Sequence, residues 1–414
     1  MVSRLISILL VASGLLGPCQ PFNLDTRNLV IQDRPAGSCD KECMFGFSVA
    51  QHSEGGTPWV LVGAPRAESG QPGVSKGGAV YKCPALSSGG CQIIPFDKSG
   101  DTSTPQGKQY DIKSGQWFGA VVQSSGADGT VLACAPRYVW LSRNYNRREP
   151  IGTCYTAKNN LGEFLEHSPC RTRKWGYHRQ GSCQAGLGAA VSKNGEQIYI
   201  GAVGSWYWQG QVYSINTQSR NSSIFNQSPG QVFSTNLRQL RNQRKTEEGD
   251  PQDDDSYLGY SVTTGEFNGD GDGMDVAVGM PRGANLTGKV VLYNSNLTNL
   301  NNLTGTQVGA YFGYCLATAD LNGDGLDDII IGSPMWTDYS IMGKFETGRV
   351  YVVYQDKNHR FRRFETLDGE NHKARFGMAV ASLGDINLDG AASGDSSIGY
   401  HDLAVGAPYD GPDG

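Results

Sequence analysis

The sequence lacks the features that several large function classes require. Its 35 Lys and Arg residues face 40 Asp and Glu residues, so it has no basic surplus with which to bind nucleic acid as a main partner. Beyond the first residues, no apolar run approaches the 18 residues that a membrane-spanning helix needs. The six His residues show neither an HExxH motif nor a catalytic-triad spacing, which argues against those hydrolase classes.

Glycine is abundant in this chain, and its abundance constrains the fold. With 56 Gly and 18 Pro the chain must turn often, which makes an architecture of long helices improbable. Hydrophobic residues at 38% and aromatic residues at 10% are nevertheless enough for a sizeable core. We therefore expect a folded, loop-rich chain.

The amino terminus and the cysteines indicate an extracellular compartment. Arg4 and the apolar run LISILLVASGLL predict a signal peptide over residues 1–19, because the run is too short to span a bilayer. Cysteine spacing predicts the disulfides Cys83–Cys91, Cys134–Cys154 and Cys170–Cys183. Cys39 and Cys43 could close a very small ring, and Cys315 is expected to be a buried free thiol. The N-x-S/T glycosylation sequons lie at Asn221, Asn226, Asn285, Asn296 and Asn302.

A two-part motif recurs six times along the chain. An aromatic residue or Leu precedes Gly and a short apolar strand, and a second strand then ends in Gly-x-Pro or a variant. The first parts begin near residues 45, 118, 187, 258, 312 and 376. Units of four short strands at this spacing predict an all-β fold of the β-propeller type, whereas a β-sandwich would show shorter and more even spacing. The motif glycines are expected where inner strands approach closely.

Three units carry an acidic, glycine-rich loop between the two parts of the motif. Alternating oxygen side chains point at one centre and glycine permits the sharp turn, an arrangement that suits Ca²⁺. The predicted ligands are Glu266, Asn268, Asp270, the Gly273 carbonyl and Asp275 in the first loop; Asp320, Asn322, Asp324, the Leu326 carbonyl and Asp328 in the second; and Asp385, Asn387, Asp389 and Asp402 in the third. We expect three calcium ions, although an insertion separates Asp402 from the other ligands of the third loop.

An EF-hand and a plain polar turn are the alternatives for these loops. An EF-hand needs Glu at position 12, which in the second loop is Ile331 within an apolar segment. A plain Asn/Asp/Gly turn explains one such loop but not three at equivalent places. No nucleophile or base stands near the acids, so the metal is expected to be structural and the chain is not expected to be an enzyme.

These repeats resemble the N-terminal propeller of integrin α subunits. The resemblance rests on the FG…GAP repeats with DxNxDGxxD loops, on PFNLD at Pro21, on GSWYWQGQ at Gly204 and on DDSYLGYSV at Asp254. The segments CAPRYVW and SPCRTRKWGYHRQGSCQAG are similar to arthropod position-specific type 2 subunits. The family implies a seven-bladed propeller over residues 22–414 that stops within its sixth blade. The spacing of the second and third units leaves no room for an inserted von Willebrand A-type domain.

The resemblance implies a cell-surface adhesion receptor that forms a heterodimer with an integrin β subunit. By resemblance, aromatic residues flanking the blade glycines form a cage for a basic side chain of that subunit. The candidates are Phe47, Trp117, Tyr257, Tyr311 and Phe376. Ordinary inner-strand core is their alternative role, and the two roles are compatible.

The family also implies a ligand site, from which this chain departs. RGD-binding members hold the ligand Arg with carboxylates on loops of the second and third blades, because a guanidinium favours a bidentate anionic partner. Residues 167–195 and 197–246 contain no acid. We therefore expect Glu247 or Glu248 to bind the Arg of an RGD-type matrix protein, beside an aromatic wall of Tyr207 and Trp208.

Two alternatives remain open at this point. The basic loops could instead steer a more acidic matrix ligand. The same repeats could also build a secreted or anchored propeller that acts as a lectin or as the accessory domain of a lipid-anchor phospholipase, since a fold alone does not fix function.

Overall fold

The computed structural model describes residues 29–104, 106–142, 146–172, 174–217, 243–340, 342–386 and 400–411. The predicted signal peptide, the sequons at Asn221 and Asn226, and the predicted ligands Asn387 and Asp389 lie outside these ranges. The described residues form an all-β fold, and no helix among them is long and apolar enough to cross a membrane.

The strands form consecutive antiparallel sheets. Sheet 1 contains β1 (Ser48–Glu54), β2 (Thr57–Ala64), β3 (Ala79–Pro84) and β4 (Gln92–Ile93). A small sheet follows, with β5 (Asp111–Ile112), β8 (Val139–Leu141) and β9 (Arg147–Pro150). Sheet 2 contains β6 (Val121–Ser124), β7 (Val131–Ala135), β10 (Thr153–Lys158) and β11 (Glu163–His167). Sheet 3 contains β12 (Ala189–Val191), β13 (Gln197–Ala202), β14 (Gln211–Asn216) and β15 (Gln243–Lys245).

The remaining sheets repeat this order. Sheet 4 contains β16 (Val262–Gly265), β17 (Asp275–Met280), β18 (Lys289–Tyr293) and β19 (Asn299–Thr304). Sheet 5 contains β20 (Leu316–Ala319), β21 (Asp328–Ser333), β22 (Arg349–Gln355) and β23 (Phe361–Asp368). Sheet 6, as far as it is described, pairs β24 (Ala379–Gly384) with β25 (Asp402–Gly406).

The first strands of the sheets follow one another around a common axis. Strand β1 contacts β6, and the series continues through β12, β16, β20 and β24. Apolar side chains of neighbouring sheets pack between them, with Val122, Leu132 and Ile198 in one such core. The prediction of a β-propeller built from FG-GAP-type repeats is confirmed.

The alternation of strand direction gives the propeller two functionally different ends. Hairpins that link the first and second strands, including the acidic loops, lie at one end, here called the lower end. Links between the second and third strands, and from one sheet to the next, lie at the opposite end, the upper end. Acidic loops and predicted ligand-binding residues are therefore separated by the length of the strands.

Two short helical turns occupy the upper end between second and third strands. They are α1 (Ser205–Trp208) in sheet 3 and α2 (Gly283–Leu286) in sheet 4, and a 3₁₀ turn spans Pro251–Asp253. In α1 the φ angles of Trp206, Tyr207 and Trp208 are 52°, 56° and 61°. Left-handed backbone costs about 1 kcal/mol or more for a residue with a Cβ, so surrounding contacts must hold this turn.

Glycines let neighbouring sheets meet backbone to backbone. The second-strand glycine of one unit lies against the first-part glycine of the next, in the pairs Gly63–Gly119, Gly201–Gly259, Gly279–Gly313 and Gly332–Gly377. A Cβ added to Gly201 would lie 2.1 Å from the carbonyl oxygen of Gly259, which is too close for two atoms that are not bonded to each other. The glycine repeat thus marks the inter-sheet contact.

Sheet 2 and sheet 3 meet through a different pair. Cys134 takes the position of the second-strand glycine, and a Cβ on Gly186 would lie 2.5 Å from the Cβ of Cys134. Ala185 forms a β-bridge with Gly152, and Phe118, the first residue of the second motif, forms the equivalent bridge with Gly78. The third motif is therefore Ala185–Gly186, two residues before the position expected at Leu187, and the aromatic residue of the motif is absent there.

The structure contains the predicted disulfides Cys83–Cys91, Cys134–Cys154 and Cys170–Cys183, and it also joins Cys39 to Cys43. Cys315 is a free cysteine whose thiol donates to the carbonyl of Gly377 at 3.1 Å. Burial raises the pKa of this thiol to about 12, which keeps it in the unreactive protonated form.

We expect Gly201→Ala to lower the melting temperature much more than Gly309→Ala. Gly201 has an ordinary φ but no room for a Cβ, whereas Gly309 has a φ of 77° and no atom within 4 Å of the added Cβ. The control therefore adds only backbone strain of about 1 kcal/mol, while Gly201→Ala forces two sheets apart. Differential scanning calorimetry that finds equal losses would contradict the close-contact explanation.

Candidate functional site

The acidic loops connect the first and second strands of the last three sheets at the lower end. In the first loop the carboxylates of Glu266, Asp270 and Asp272 converge, with one oxygen of each within 4.8 Å of the others. The chain curls around Glu266, whose two carboxylate oxygens accept the amides of Gly269 at 2.8 Å and Gly273 at 2.9 Å. Such a set of hard oxygen donors fits a divalent cation.

Asp272 is a candidate ligand that the sequence interpretation missed. Strict alternation from Glu266 through Asn268 and Asp270 reaches Asp272, but the seventh position was assigned to the Gly273 carbonyl. Asn268 donates from its side-chain amide to Asp270 and Asp275, at 2.8 and 3.0 Å. Asp275 itself lies at the start of β17, outside the cluster of three carboxylates.

The second loop has the same curled backbone. The carboxylate of Asp320 accepts the amides of Gly323, Asp324 and Gly325 at 2.8, 3.1 and 2.7 Å. Asp324 in turn accepts the amide of Leu326 at 3.0 Å, and Asn322 accepts that of Asp324 at 3.0 Å. Among the described residues, however, the carboxylates of this loop do not converge as Glu266, Asp270 and Asp272 do, so its ligand set stays a prediction.

In the first two loops the last acid is buried at the base of the second strand. Burial, followed by the nearby carboxylates of Glu266, Asp270 and Asp272, raises the pKa of Asp275 to about 7. Burial likewise raises the pKa of Asp328 to about 6, and Asp324 and Asp320 add to the effect. Among the described residues, neither acid forms an ion pair with a basic side chain, and a cation in each loop would supply that positive charge.

Only part of the third loop is described. The Ile386 amide donates to Asp402 at 2.9 Å, which joins the two ends of the loop. Within the described ranges, Asp385 Oδ1 is buried and has no hydrogen-bond donor, a state that suits a cation ligand. The predicted ligands Asn387 and Asp389 lie outside the described residues.

Tyr207 and Trp208 lie on an aromatic surface at the upper end. The Tyr207 ring is 5.8 Å from Tyr177 and 6.4 Å from His178, and Trp208 stacks on Tyr177 at 6.4 Å. Backbone bonds lock the two segments together, because the amides of Trp206 and Tyr207 donate to the carbonyls of Arg179 and Tyr177. Tyr177 is 58% exposed and Tyr207 is 43% exposed, so both rings are available to a ligand.

The loop that carries Tyr177 also carries positive charge. The Lys174 ammonium lies 5.2 Å from the Trp206 ring, and the Arg147 guanidinium lies 4.1 Å from the Trp175 ring. Arg171 belongs to the same sequence segment but is not available to a ligand. It forms an ion pair with Glu166 at 2.5 Å and donates to Tyr138 at 2.9 Å, which anchors the loop to sheet 2.

The two predicted ligand-binding acids follow β15. Glu247 pairs with the Lys245 ammonium at 2.7 Å and is also near Lys174, and the hydrogen bond from Lys245 lowers the pKa of Glu247. Glu248 is exposed and receives no side-chain hydrogen bond among the described residues. Glu247 therefore already has a cationic partner.

A second acidic segment, Asp253–Asp255, lies directly against the aromatic turn. The Asp255 amide donates to the Tyr207 carbonyl at 3.1 Å. The Gln209 side chain donates to Asp254 Oδ1 at 2.8 Å and to the Asp250 carbonyl at 3.1 Å. This acidic run before Tyr257 is visible in the sequence. Its contact with the turn at Tyr207 could not be predicted, because the two segments are far apart along the chain.

The proposed cage residues occupy three different positions of the repeat. Trp117, Tyr257 and Tyr311 directly precede the first residue of the motif, Phe47 follows the motif glycine, and Phe376 is itself the first residue of the motif. Phe376 packs into the core between sheets 5 and 6, so it does not belong with the others.

The remaining rings lie at the upper end. Phe47 lies 5.8 Å from Trp117, and Arg137 lies 5.1 Å over Trp117. Arg282 lies 4.8 Å over Tyr257. Tyr260 and Tyr314, which occupy the position equivalent to Phe47, are 5.3 Å apart. The sequence interpretation included this position only in the first unit and therefore missed both residues.

The described sequons lie on sheet 4. Asn285 lies in the left-handed turn α2, Asn296 in the turn between β18 and β19, and Asn302 within β19, where it is exposed.

Comparison with known proteins identifies relatives over nearly the whole chain. The sequence family described as FG-GAP repeat matches residues 312–353. Integrin alpha-PS2 of Drosophila melanogaster is 45% identical over 393 residues, which cover 90% of this chain and 27% of that protein. Integrin alpha-8 of Homo sapiens is 40% identical over 404 residues, and integrin alpha-5 of Xenopus laevis is 39% identical over 400 residues. The alignments cover 95% and 94% of this chain and 36% of each relative.

The chain thus spans between 27% and 36% of the length of these three relatives. Among solved structures, the β-propeller domain of the Trilobed protease from Pyrococcus furiosus aligns with a TM-score of 0.30 at 10% identity. That alignment covers 61% of this chain and 56% of the other. A structural similarity this weak supports no conclusion about the family of this chain.

We expect removal of divalent cations to lower the melting temperature, because each loop then holds several carboxylates without a countercharge. Asp324→Ala should reproduce part of the loss. Asp338→Ala, which removes an exposed acid outside the loops, is the matched control. Calorimetry with and without EDTA tests this expectation, and a melting temperature that EDTA leaves unchanged would contradict the metal assignment.

The same acids predict a pH dependence in EDTA. Asp275 and Asp328 have raised pKa values in the folded chain, so their protonation stabilises the fold below pH 3.8, the ordinary Asp value. This stabilisation is lost as the pH rises through about 6 to 7, and each pH unit between the folded and unfolded pKa is worth about 1.4 kcal/mol. The melting temperature in EDTA should therefore fall between about pH 4 and pH 7, and excess Ca²⁺ should abolish the fall. A flat profile in EDTA would contradict this.

Proposed function

Because the chain is homologous to integrin α subunits over nearly all of its length, we propose that it is the ligand-binding propeller of a cell-surface adhesion receptor. The observation that carries the proposal is the upper-end surface, where Tyr207 and Trp208 lie between a cationic loop and an acidic segment. Exposed rings with charges of both signs beside them suit a protein ligand. We propose no enzymatic activity.

The receptor is proposed to form a heterodimer with an integrin β subunit. The upper-end rings supply the surface for this contact: Phe47, Trp117, Tyr257, Tyr311, Tyr260 and Tyr314. Guanidinium groups of this chain already lie over Trp117 and Tyr257. Within the described ranges, no cationic side chain lies over Tyr260 or Tyr314. A basic side chain of the partner could therefore bind near this pair, with a cation–π contact worth about 2 kcal/mol when desolvated.

We propose a matrix ligand that carries an Arg-Gly-Asp sequence. The ligand Arg needs a carboxylate beside the aromatic wall, and the chain offers Glu247 and Glu248 or Asp253–Asp255. Two contacts favour the second group: Lys245 already neutralises Glu247, and Asp254 and Asp255 are held against the Tyr207 turn. A carboxylate already held in position loses less conformational entropy when it binds a guanidinium.

The acidic loops at the lower end are proposed to bind three Ca²⁺ ions with a structural role. Carboxylate and carbonyl oxygens are the ligands that Ca²⁺ prefers, and the curled loops supply them in alternation. Since the loops lie at the end opposite Tyr207, their proposed ions stabilise the hairpins and do not contact the ligand. The receptor is placed at the cell surface, although the segment that would anchor it is not among the described residues.

A lectin or a phospholipase accessory domain is the alternative function. Exposed rings such as Tyr177 and Tyr207 can stack on sugars, so the aromatic surface alone does not distinguish the two classes. The three relatives described above are integrin α subunits, which favours the receptor. Co-purification of a β subunit from cells is the direct test.

We expect Asp254→Ala to reduce adhesion of receptor-expressing cells to an RGD-coated surface about tenfold or more, the effect of losing a charged hydrogen-bonded partner. The double variant Glu247→Ala/Glu248→Ala is the comparison, and it should have the smaller effect if Lys245 already occupies Glu247. Surface expression of each variant is measured by antibody binding, so that a folding defect is not mistaken for lost affinity.

The outcomes separate the proposals. A larger loss in the double variant would assign the ligand Arg to Glu247 and Glu248. Strong adhesion that ignores RGD peptide, survives all of these substitutions and falls steeply with salt would overturn RGD binding. It would support an acidic ligand steered by the cationic loop that contains Lys174.

A further inference from the structure

Hydrogen bonds join the first and second acidic loops at the lower end. The Glu266 amide donates to the carboxylate of Asp327 at 2.8 Å, although the two residues are 61 positions apart. The same carboxylate accepts the Lys193 ammonium at 2.7 Å from the hairpin of sheet 3. Asp327 therefore fixes the start of the first loop from within the second loop.

Gln355, the last residue of β22, contacts both loops at once. Its side-chain amide donates to the carbonyls of Glu266 and Asp327, each at 2.8 Å. Its backbone amide donates to Asp328 Oδ1 at 3.0 Å. Gln355 is 2% exposed, so these bonds are shielded from water and are worth more than surface bonds. One residue thus holds the first candidate ligand of one loop and the last candidate ligand of the next.

His359 extends the connection to the middle of the first loop. Its Nδ1 lies 2.7 Å from the side-chain oxygen of Gln355, which orients the Gln355 amide toward the loops. The His359 ring lies against Gly269, where an added Cβ would be 2.2 Å from Nε2. Gly269 is therefore held between the ring and the Glu266 carboxylate that accepts its amide.

We propose that Gln355 couples cation binding at the two loops, so that occupancy of one raises the affinity of the other. This inference rests on the proposed cation binding and goes beyond it. A cation fixes Glu266 through its carboxylate, and Gln355 and Asp327 hold the backbone of that same residue. Ordering Glu266 therefore orders Asp327 and Asp328, and the second loop loses less entropy when it binds its own cation. The coupling must be reciprocal.

Calcium titration by isothermal calorimetry of the cation-stripped protein tests the coupling. Asp270→Asn disables the first loop, and the affinity of the second loop is then compared with that in the unaltered protein. Asp324→Ala identifies which binding phase belongs to the second loop, while the third loop is common to all samples. We expect Asp270→Asn to weaken the second loop about fivefold or more, the lower range of allosteric coupling.

The decisive comparison repeats this measurement with Gln355→Met, which keeps the length of the side chain and removes its hydrogen bonds. In that background Asp270→Asn should change the affinity of the second loop less than about twofold, below the usual range of allosteric coupling. Gln307→Met is the matched control, since Gln307 makes two comparable bonds to Thr337 at the upper end. It should leave the coupling intact. Asp327→Ala removes the carboxylate that accepts the Glu266 amide, and that side chain is 11% exposed. This variant should also reduce the coupling, and it replaces Gln355→Met if Gln355→Met does not fold.

Each result has a separate meaning. If Asp270→Asn leaves the second loop unchanged in the otherwise unaltered protein, or if the coupling persists in a folded Gln355→Met variant (in Asp327→Ala, where Gln355→Met does not fold), the inference is overturned while cation binding stands. If neither loop binds Ca²⁺, the proposed cation sites themselves fail.

Discussion

The structure depends on one kind of contact: at four junctions between neighbouring sheets, the two backbones touch at a pair of glycines. The pairs Gly63–Gly119, Gly201–Gly259, Gly279–Gly313 and Gly332–Gly377 set the separation of the inner strands. The apolar cores between the sheets can close only at that separation, because side chains pack at fixed distances. Between sheets 2 and 3, Cys134 replaces the second-strand glycine and adds a side chain at the contact. In the following unit, Ala185 stands where other units have a larger residue such as Phe118, so a gain in side-chain volume accompanies a loss.

Repetition explains how much of the fold could be predicted from the sequence. The six motifs predicted the order of the strands because a periodic pattern shows where each unit begins. The third motif was placed at Leu187, two residues late, because QAGLG offers two glycines and only the inter-sheet contact at Gly186 distinguishes them. Local spacing likewise predicted the disulfides, whose cysteines lie on the same hairpin or loop.

The candidate sites were less predictable where they depend on contacts between distant segments. Alternation along a single loop predicted Asp320, Asn322 and Asp324. It could not show that Asp327 and Gln355 join two loops, or that Asp254 lies near Tyr207, since these contacts require neighbouring sheets to be placed first. The sequence interpretation therefore selected candidate ligand-binding residues by their position along the chain, as with Glu247. It missed residues that only the folded propeller brings together.

In the left-handed turn α1, the residue that would best stabilise the fold differs from the residue that would best bind a ligand. Glycine at Tyr207 would relieve backbone strain but would remove an exposed ring from the aromatic surface. In sheet 4 the equivalent turn carries Asn285, a residue type that tolerates this conformation. Engineering that selects only for thermal resistance would therefore drift toward glycine or asparagine in α1, and it would yield a sturdier propeller with a poorer recognition surface.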